Sequence, residues 1–405
     1  MAKWIVYGSE LSPFALKVRA MCRSTGLPHQ FFTREASTWE AARVQLRKEL
    51  LVRGYLQLTW PKMTAEDEFP LVPFLFGPGG ENLYDSTAIG YWLDEQSPVK
   101  DRPGSLIARE PEPVRAAIAV IDEYADEWGL YLAHHHRWVV SARSCNAASR
   151  LVDELPPIVR LGRARIEYFF TARQVRRLPY LFSFAPPGFS IAGLPAYRQP
   201  PSRPGFPPTH ELLEDALLRL LAALEPVLQK RPFLFGSRFT LADASLYGQL
   251  AMNLEDPEAS ALIAARAPQT HAWLRAIYKG VFPGSEPGAP LSLHEDLRPL
   301  FTEIGRTFVP LMQQQLRAYE RYQAAGGSLC NEAAFDAGQG LTEHSSPFDA
   351  LILVLAGTLD VTIAGAPVEA TPGTIVRLPA AVAPAVEARD PTRMLLVMLR
   401  DTAAA

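Results

Sequence analysis

The hydrophobic pattern of the first part of the chain alternates between short apolar runs and helical repeats. Residues 4–7 and 30–32 predict strands, and residues 39–55 predict a helical region. A helix between the two strands has an apolar face formed by Phe14, Val18, Met21 and Cys22. A third strand surrounds Pro73, and a short strand near Leu83 leads into another helix. The predicted order is β-α-β-α-β-β-α, with parallel strands and crossover helices first and a hairpin last.

From residue 111 the apolar spacing becomes helical, and it changes again after residue 327. The predicted helices are residues 114–138, 155–178, 211–229, 270–278 and 296–323. Residues 186–208 are rich in proline, glycine and serine, which predicts an irregular loop. Short apolar runs separated by turns then predict a small all-β barrel or sandwich, at residues 351–355, 359–363, 375–378 and 395–399.

These patterns predict a multidomain fold that combines α/β, all-α and all-β parts. A chain of 405 residues is too long for one compact core. We expect a thioredoxin-like α/β domain at residues 1–98, an all-α domain at residues 108–324 and a small all-β domain at residues 328–402.

Composition narrows the expected partners and the expected compartment. The net charge of -3 gives no reason to expect nucleic acid or an anionic membrane as a partner. The three cysteines are far apart in sequence, which favours reduced thiols over disulfides: Cys22, Cys145 and Cys330. We recognise neither a signal-peptide pattern nor an apolar run long enough to cross a bilayer. A cytoplasmic protein is therefore expected.

Two predicted helix starts carry candidate binding groups. Ser12 precedes Pro13, which suits the first helical position, so Ser12 is the predicted N-cap. Asp85 and Ser86 begin the helix after the hairpin, where a carboxylate and a hydroxyl can hold the charged ends of a peptide. Proline cannot donate to a sheet ladder, so the Val72–Pro73 junction in a short apolar strand predicts a cis turn whose backbone faces away from the sheet.

A third cap signal lies in the all-α part. Thr240 stands three residues before Asp243, which is a capping box with aspartate in place of the usual glutamate. We expect a buried, well-capped helix here and no chemistry from Asp243.

Residues 1–285, or as far as 324, resemble the cytosolic glutathione S-transferases, and most closely the bacterial branch with Ser-Pro-Phe. The features that carry the resemblance are Ser12-Pro13-Phe14, Val72-Pro73, Asp85-Ser86 and the capping box from Thr240 to Asp243. The resemblance implies that Ser12 faces the glutathione sulfur and that Val72, with Pro73, pairs its backbone with the cysteinyl part. It implies that Asp85 and Ser86 hold the γ-glutamyl end. A homodimer with a small hydrophobic electrophile as second substrate, as in detoxification, is also expected.

This resemblance predicts an enzyme that activates the glutathione thiolate for attack on the electrophile. A hydroxyl at a helix N-terminus can donate to a thiolate, and thiols in such places have pKa values of roughly 3.5–7.5 against about 8.5 when free. Ser12 can equally be a plain N-cap, and Ser9 is a second hydroxyl in the same turn. The alternative function is a non-catalytic protein that binds glutathione or a small ligand. Position 12 lacks the cysteine that thiol–disulfide chemistry needs, and Cys22 is expected in the core.

Two departures from the compact family pattern are visible. The connectors at residues 62–68 and 186–208 are long, and Lys62 is only a weak candidate for the group that meets the glycyl carboxylate. The run of His134, His135 and His136 suggests a metal, but three consecutive helical residues point in three directions. We expect a solvated or half-buried helix end there, with one histidine or Tyr131 as a candidate for the acceptor pocket.

Residues 330–400 resemble a cupin that lacks most of its metal ligands. Residues 357–365 fit the strand-turn core, and Gly373 followed by Pro379 fits the second half-motif. His344 stands at the first ligand position, and the other positions hold Ser346, Asp349 or Ala350, and Pro384. A mononuclear site needs three or four converging ligands. We therefore expect no metal, no oxygenase chemistry and a structural, regulatory, dimerising or ligand-sensing role.

Overall fold

The computed structural model describes most of the chain, with gaps. The described residues are 3–32, 38–52, 55–61, 72–102, 104–107, 111–155, 159–203, 205–324, 331–335, 340–341, 349–379, 382 and 384–399. They form two compact units, one built mainly from residues 1–44 and 70–313 and one mainly from residues 314–405. No helix in these ranges is both long and apolar enough to cross a membrane.

The first unit begins with a four-stranded sheet. Its strands are β1 (Trp4–Tyr7), β2 (His29–Phe32), β3 (Phe74–Phe76) and β4 (Asn82–Tyr84), in the order β2-β1-β3-β4. β1 runs parallel to β2 and antiparallel to β3, and β3 and β4 form a hairpin. The predicted parallel strands and the late hairpin are therefore confirmed.

Three helices belong to this α/β part: α1 (Pro13–Ser24), α2 (Thr38–Val52) and α3 (Ser86–Glu95). α2 ends three residues before the predicted end, because the Tyr55 and Leu56 amides both donate to the Leu50 carbonyl and turn the chain. α1 is buried over most of its surface instead of along one face, since it lies between the sheet and a later helix. Cys22 is in the core, as expected.

The helical part begins with one long run, in which α4 (Glu112–Tyr124) and α5 (Leu130–His135) are joined and followed by π-helical turns. The later helices are α6 (Ala147–Glu154), α7 (Arg163–Arg176), α8 (His210–Lys230), α9 (Leu241–Ala251), α10 (Pro257–Arg266), α11 (Pro268–Tyr278), α12 (Arg298–Arg306) and α13 (Phe308–Ala324). The prediction of one helix over residues 155–178 is wrong at its start. Leu155 is extended, as expected for a residue before proline, so α6 ends there and α7 begins later.

Two further predictions for the helical part had mixed outcomes. The helix predicted at residues 296–323 is interrupted at Thr307, and α10 was not predicted at all.

The capping box is confirmed: Thr240 and Asp243 cap α9 reciprocally, and the other Asp243 oxygen accepts from the Leu234 amide at 2.8 Å. Burial raises the pKa of Asp243 to about 6.

The C-terminal unit contains a region of antiparallel strands, as predicted. Its strands are β5 (Asn331–Phe335), β6 (Gly340–Leu341), β7 (Asp349–Ala356), β8 (Leu359–Ile363), β9 (Ala366–Ala370), β10 (Ile375–Leu378), β11 (Ala385–Ala388) and β12 (Thr392–Leu399). They form two sheets, with orders β10-β7-β12-β5 and β6-β11-β8-β9. One apolar cluster drawn from both sheets, including Ile352, Leu359 and Met394, forms the core of this region.

Candidate functional site

The strand register brings three separate segments to one end of the strands of the first sheet, and this end is the edge meant below. Tyr7 at the end of β1 pairs with Phe74 at the start of β3, and Phe74 pairs with Tyr84 at the end of β4. The turn that leads to Ser12 leaves the sheet at this edge. The Val72–Pro73 junction enters there, and Asp85 follows Tyr84 directly. We call this place the Tyr7–Phe74–Tyr84 edge.

Ser12 is the N-cap of α1, as predicted. Its backbone is extended, and its Oγ accepts a hydrogen bond from the Ala15 amide at 3.3 Å. A serine hydroxyl has one donor hydrogen and two acceptor lone pairs, so this bond leaves the O–H able to donate elsewhere. Ser9 is also used locally, because its Oγ accepts from the Leu11 amide at 3.0 Å. Ser12 is half-buried at the positive end of a twelve-residue helix.

The Val72–Pro73 peptide bond is cis, as the sequence predicts. Pro73 is buried and lies directly before β3, so its missing N–H removes no bond from the ladder that begins at Phe74. Val72 is 38% exposed, which leaves its side of the turn accessible.

Asp85 and Ser86 begin α3. Asp85 is the N-cap, and its Oδ1 accepts from the Ala88 amide at 2.7 Å. Its φ of 66° lies in the left-handed region, which aspartate tolerates better than most residues but still rarely adopts. Asp85 is exposed, whereas Ser86 is only 3% exposed. The edge thus presents one carboxylate and two helix N-termini, which is an arrangement suited to a ligand with charged ends.

A buried ion network, which the hydrophobic pattern does not predict, lies behind these helix starts. Lys17 of α1 is 1% exposed, and its Nζ donates to Asp122 at 2.7 Å, to Asp126 at 2.6 Å and to the Thr87 hydroxyl at 2.8 Å. Thr87 donates in turn to Asp122 at 2.9 Å. The network ties α1 to α3 and to the helical part. A lysine between Leu16 and Val18, in a segment whose other charged residue is Arg19, was the signal available in the sequence.

Two carboxylates keep the Lys17 ammonium charged. Burial by itself disfavours the charge, but Asp126 and Asp122 outweigh it, so the pKa of Lys17 is raised. Ser245 of α9 donates to Asp122 as well. Each charge in the network is therefore held by a partner, as buried charges require.

The three consecutive histidines are more buried than predicted. His135 and His136 are fully buried, so the expected solvated or half-buried helix end is wrong for these two. They lie inside the long helical run, where His136 bonds the Leu132 carbonyl at 2.8 Å and His135 contacts Ser183 at 2.9 Å. Within the described ranges no group of three or more histidine, cysteine, aspartate or glutamate residues can hold a metal ion.

Other candidate residues have simpler outcomes. Tyr131 stacks on Phe182 with ring centroids 6.0 Å apart and packs against the core. Lys62, His344 and Ser346 lie outside the described residues. Pro384, at the last cupin ligand position, is buried.

Two regions of the chain match models of known protein families. Residues 6–103 match the family model of the glutathione S-transferase N-terminal domain, and residues 207–276 match that of the C-terminal domain. The chain therefore contains a region similar to the N-terminal domain of glutathione S-transferases and a region similar to their helical C-terminal domain. They agree with the resemblance carried by the sequence motifs.

Solved structures give weaker likenesses. A glutathione S-transferase from Rhodospirillum rubrum F11 is 16% identical over 72% of this chain and 94% of that one, with a TM-score of 0.37. A conserved protein of unknown function from Streptococcus pyogenes is 31% identical over 18% of this chain and 65% of that one, with a TM-score of 0.18.

A cupin superfamily protein from Desulfitobacterium hafniense DCB-2 is 24% identical over 17% of this chain, with a TM-score of 0.17. The match spans 64% of that protein. No curated protein matches the chain.

Proposed function

We propose that this protein is a glutathione transferase, which binds glutathione at the Tyr7–Phe74–Tyr84 edge and activates its thiol through Ser12. The observation that carries the proposal is the convergence of the N-termini of α1 and α3 with the Val72–Pro73 turn at one sheet edge. The N-terminal family match covers all of these segments.

The residues at this edge fit two of the three parts of the tripeptide, the γ-glutamyl part and the cysteinyl part. Asp85 offers a carboxylate to the γ-glutamyl ammonium, and the first-turn amides of α3, beginning at Ser86, suit the γ-glutamyl carboxylate. Val72 precedes Pro73, and β3 begins directly after Pro73. Val72 offers its backbone groups to the cysteinyl part. Ser12 then faces the sulfur.

Bound glutathione supplies the nucleophile for attack on a small hydrophobic electrophile. The Ser12 hydroxyl donates to the thiolate while its lone pair caps α1, and the positive end of α1 favours the negative charge. Each unit by which the thiol pKa falls corresponds to about 1.4 kcal/mol of preference for the thiolate. More thiolate at neutral pH means faster conjugation.

Ser12→Ala should reduce conjugation of glutathione to a generic aryl halide by about tenfold or more, with little change in KM for glutathione, since one donor to the developing charge is lost. Steady-state kinetics with purified protein measures this. Ser12→Thr keeps both the cap and the hydroxyl and should retain most of the activity. Ser9→Ala, in the same turn, should retain it as well.

The possible outcomes separate the proposal from its alternative. Equal rates for wild type and Ser12→Ala would contradict the role of Ser12. Glutathione binding without turnover would favour a binding protein whose cupin-like β region senses a ligand or mediates dimerisation. Absence of any thermal shift at millimolar glutathione would contradict both functions. Family members are typically dimeric, and we expect a cytoplasmic homodimer that takes part in detoxification and uses no metal.

A further inference from the structure

The turn that carries Ser12 is held by side chains remote in sequence. The Glu10 amide donates to Glu154 Oε1 at 3.0 Å, and the Tyr278 hydroxyl donates to the Glu10 carboxylate at 3.1 Å. Arg137, which is 126 positions from Leu11, donates from Nη1 to the Leu11 carbonyl at 3.1 Å. The residue immediately before Ser12 is thus fixed by the helical part of the unit.

Arg137 is well suited to fix a backbone carbonyl. It is 2% exposed, and its Nε donates to Asp256 at 2.7 Å while Nη2 donates to the Met252 carbonyl. All three guanidinium nitrogens are therefore engaged, and the planar fork cannot rotate without losing several bonds at once. Asp256 is fully buried, so the charge of Arg137 is compensated where it lies.

The local backbone explains how Arg137 comes to this position. It lies in the π-helical turn His136–Val140, directly after the run of histidines. An extra residue in a helical turn rotates the following side chains relative to a regular helix, and such turns occur frequently at functional sites. The run of three histidines suggested a metal site. In the structure, the residue that follows the run, Arg137, places its buried guanidinium against the turn before Ser12.

We propose that Arg137 is a positioning residue that holds the Leu11–Ser12 peptide so that the Ser12 hydroxyl meets the thiolate. This inference rests on the proposed function, since it names what fixes the group assigned to the thiolate. Catalytic groups must be held closely, and a misplacement of about 1 Å can cost about a hundredfold in rate.

Arg150 provides a matched control. It pairs with the same Asp256 at 3.0 Å, and its Nε donates to Asn146 at 2.8 Å. Its described hydrogen bonds include none to residues 9–12. Arg137→Met removes the Leu11 anchor and leaves Arg150 on Asp256, whereas Arg150→Met removes one Asp256 partner and leaves the anchor.

The first measurement does not depend on activity. Native-state hydrogen exchange of the full-length protein should show that Arg137→Met speeds exchange of the Leu11 and Ser12 amides by about tenfold or more, because the turn opens locally. Arg150→Met should leave them close to wild type. Equal acceleration in both variants, or none in either, would overturn the inference whether or not the wild type turns over glutathione.

The second measurement concerns the bound thiol. Arg137→Met should lower kcat by about tenfold to a hundredfold, keep KM for glutathione within about twofold and raise the apparent pKa of the bound thiol in the pH profile. A loosened turn with unchanged kcat and pH profile would refute the positioning role. If Arg137→Met does not fold, Arg137→Lys serves instead, because it keeps the charge but cannot reach Asp256 and Leu11 together.

A wild type without glutathione binding or turnover would refute the proposed function. The hydrogen-exchange result would still show whether Arg137 holds the Leu11–Ser12 turn.

Discussion

At the scale of single residues, the candidate binding groups also hold the backbone. Ser12 caps α1 through an acceptor lone pair and keeps its hydrogen for a ligand. Asp85 caps α3 from a left-handed conformation, which asparagine and aspartate adopt more readily than most residues. The residue types at both positions therefore serve the fold and also suit the ligand contacts that we propose for them.

Substitution of Asp85 should separate its role as the N-cap of α3 from its proposed contact with glutathione. Asp85→Asn keeps the cap and tolerates the left-handed backbone, so the free energy of unfolding should change little. The KM for glutathione should rise about threefold to tenfold, because a charge-assisted bond becomes a neutral one. Asp85→Ala should raise KM similarly and also cost about 1 kcal/mol or more of stability. Urea titration and kinetics measure the two effects, and an unchanged KM in both variants would remove Asp85 from the site.

At the scale of elements, the position of α1 depends on a close contact with α9. A Cβ added at Gly248 would lie 2.5 Å from the Pro13 carbonyl oxygen and 3.0 Å from the Lys17 side chain. Glycine at this point lets the helix that begins after Ser12 pack directly on α9. The depth of Ser12 beside the sheet edge is therefore set partly by a residue of the helical part.

Gly248→Ala should destabilise the protein by about 2 kcal/mol, since the new methyl group meets backbone and not a flexible side chain. Gly305→Ala in α12 is the matched control. An added Cβ there meets nothing within 4 Å, so this variant should be neutral or up to about 1 kcal/mol more stable. Urea unfolding of both variants tests the contact, and the same effect in both would contradict it.

At the scale of the whole molecule, burial holds four imidazoles neutral. Burial lowers the pKa of His135 to about 3, and the pKa values of His134, His136 and His210 to about 4. The unfolded chain binds protons at these groups below about pH 6.5, whereas the folded chain does not until about pH 4. Stability from these groups is therefore present above pH 6.5 and lost as the pH falls.

Three carboxyl groups of the described residues oppose this trend, and one of them is Glu123, whose pKa is raised by burial. Burial raises the pKa of Asp126 to about 7, despite Lys17, and that of Asp243 to about 6, so the folded state binds protons there before the unfolded state does. Among the described residues, burial lowers the pKa of six histidines, including His271 and His294, and raises the pKa of three carboxyl groups, so the histidines are the larger group. The urea midpoint should therefore fall as the pH is lowered from about 6.5 to about 4.5.

His210→Gln should reduce the slope of stability against pH by up to about one proton, because one group that differs between the two states is gone. Urea unfolding at several pH values provides the measurement for wild type and variant. A wild-type midpoint that is flat or rises on acidification would contradict the burial of neutral histidines as the main term.

Local signals predicted much of the architecture. The order of elements in the first part of the chain, the caps at Ser12, Asp85 and Thr240, and the presence of a C-terminal β region all follow from periodicity and from residue types close together in sequence. Caps depend on bonds between near neighbours, and the apolar spacing of an element lies within that element, so the chain carries both signals locally. Helix boundaries were less well predicted, and Leu155 shows why: a following proline competes with the helical pattern.

The sequence by itself determined the caps at Ser12, Asp85 and Thr240 and the order of elements in the first part of the chain, and the resemblance then offered a site. Only the tertiary structure decided what holds that site in place. Arg137 meets Leu11 across 126 positions, and Lys17 meets Asp122 across 105. The periodicity around each residue describes its own element and contains no information about a distant partner. The structural roles of Lys17, of Arg137 after the histidine run and of Gly248 are therefore visible only once the helical part packs against α1.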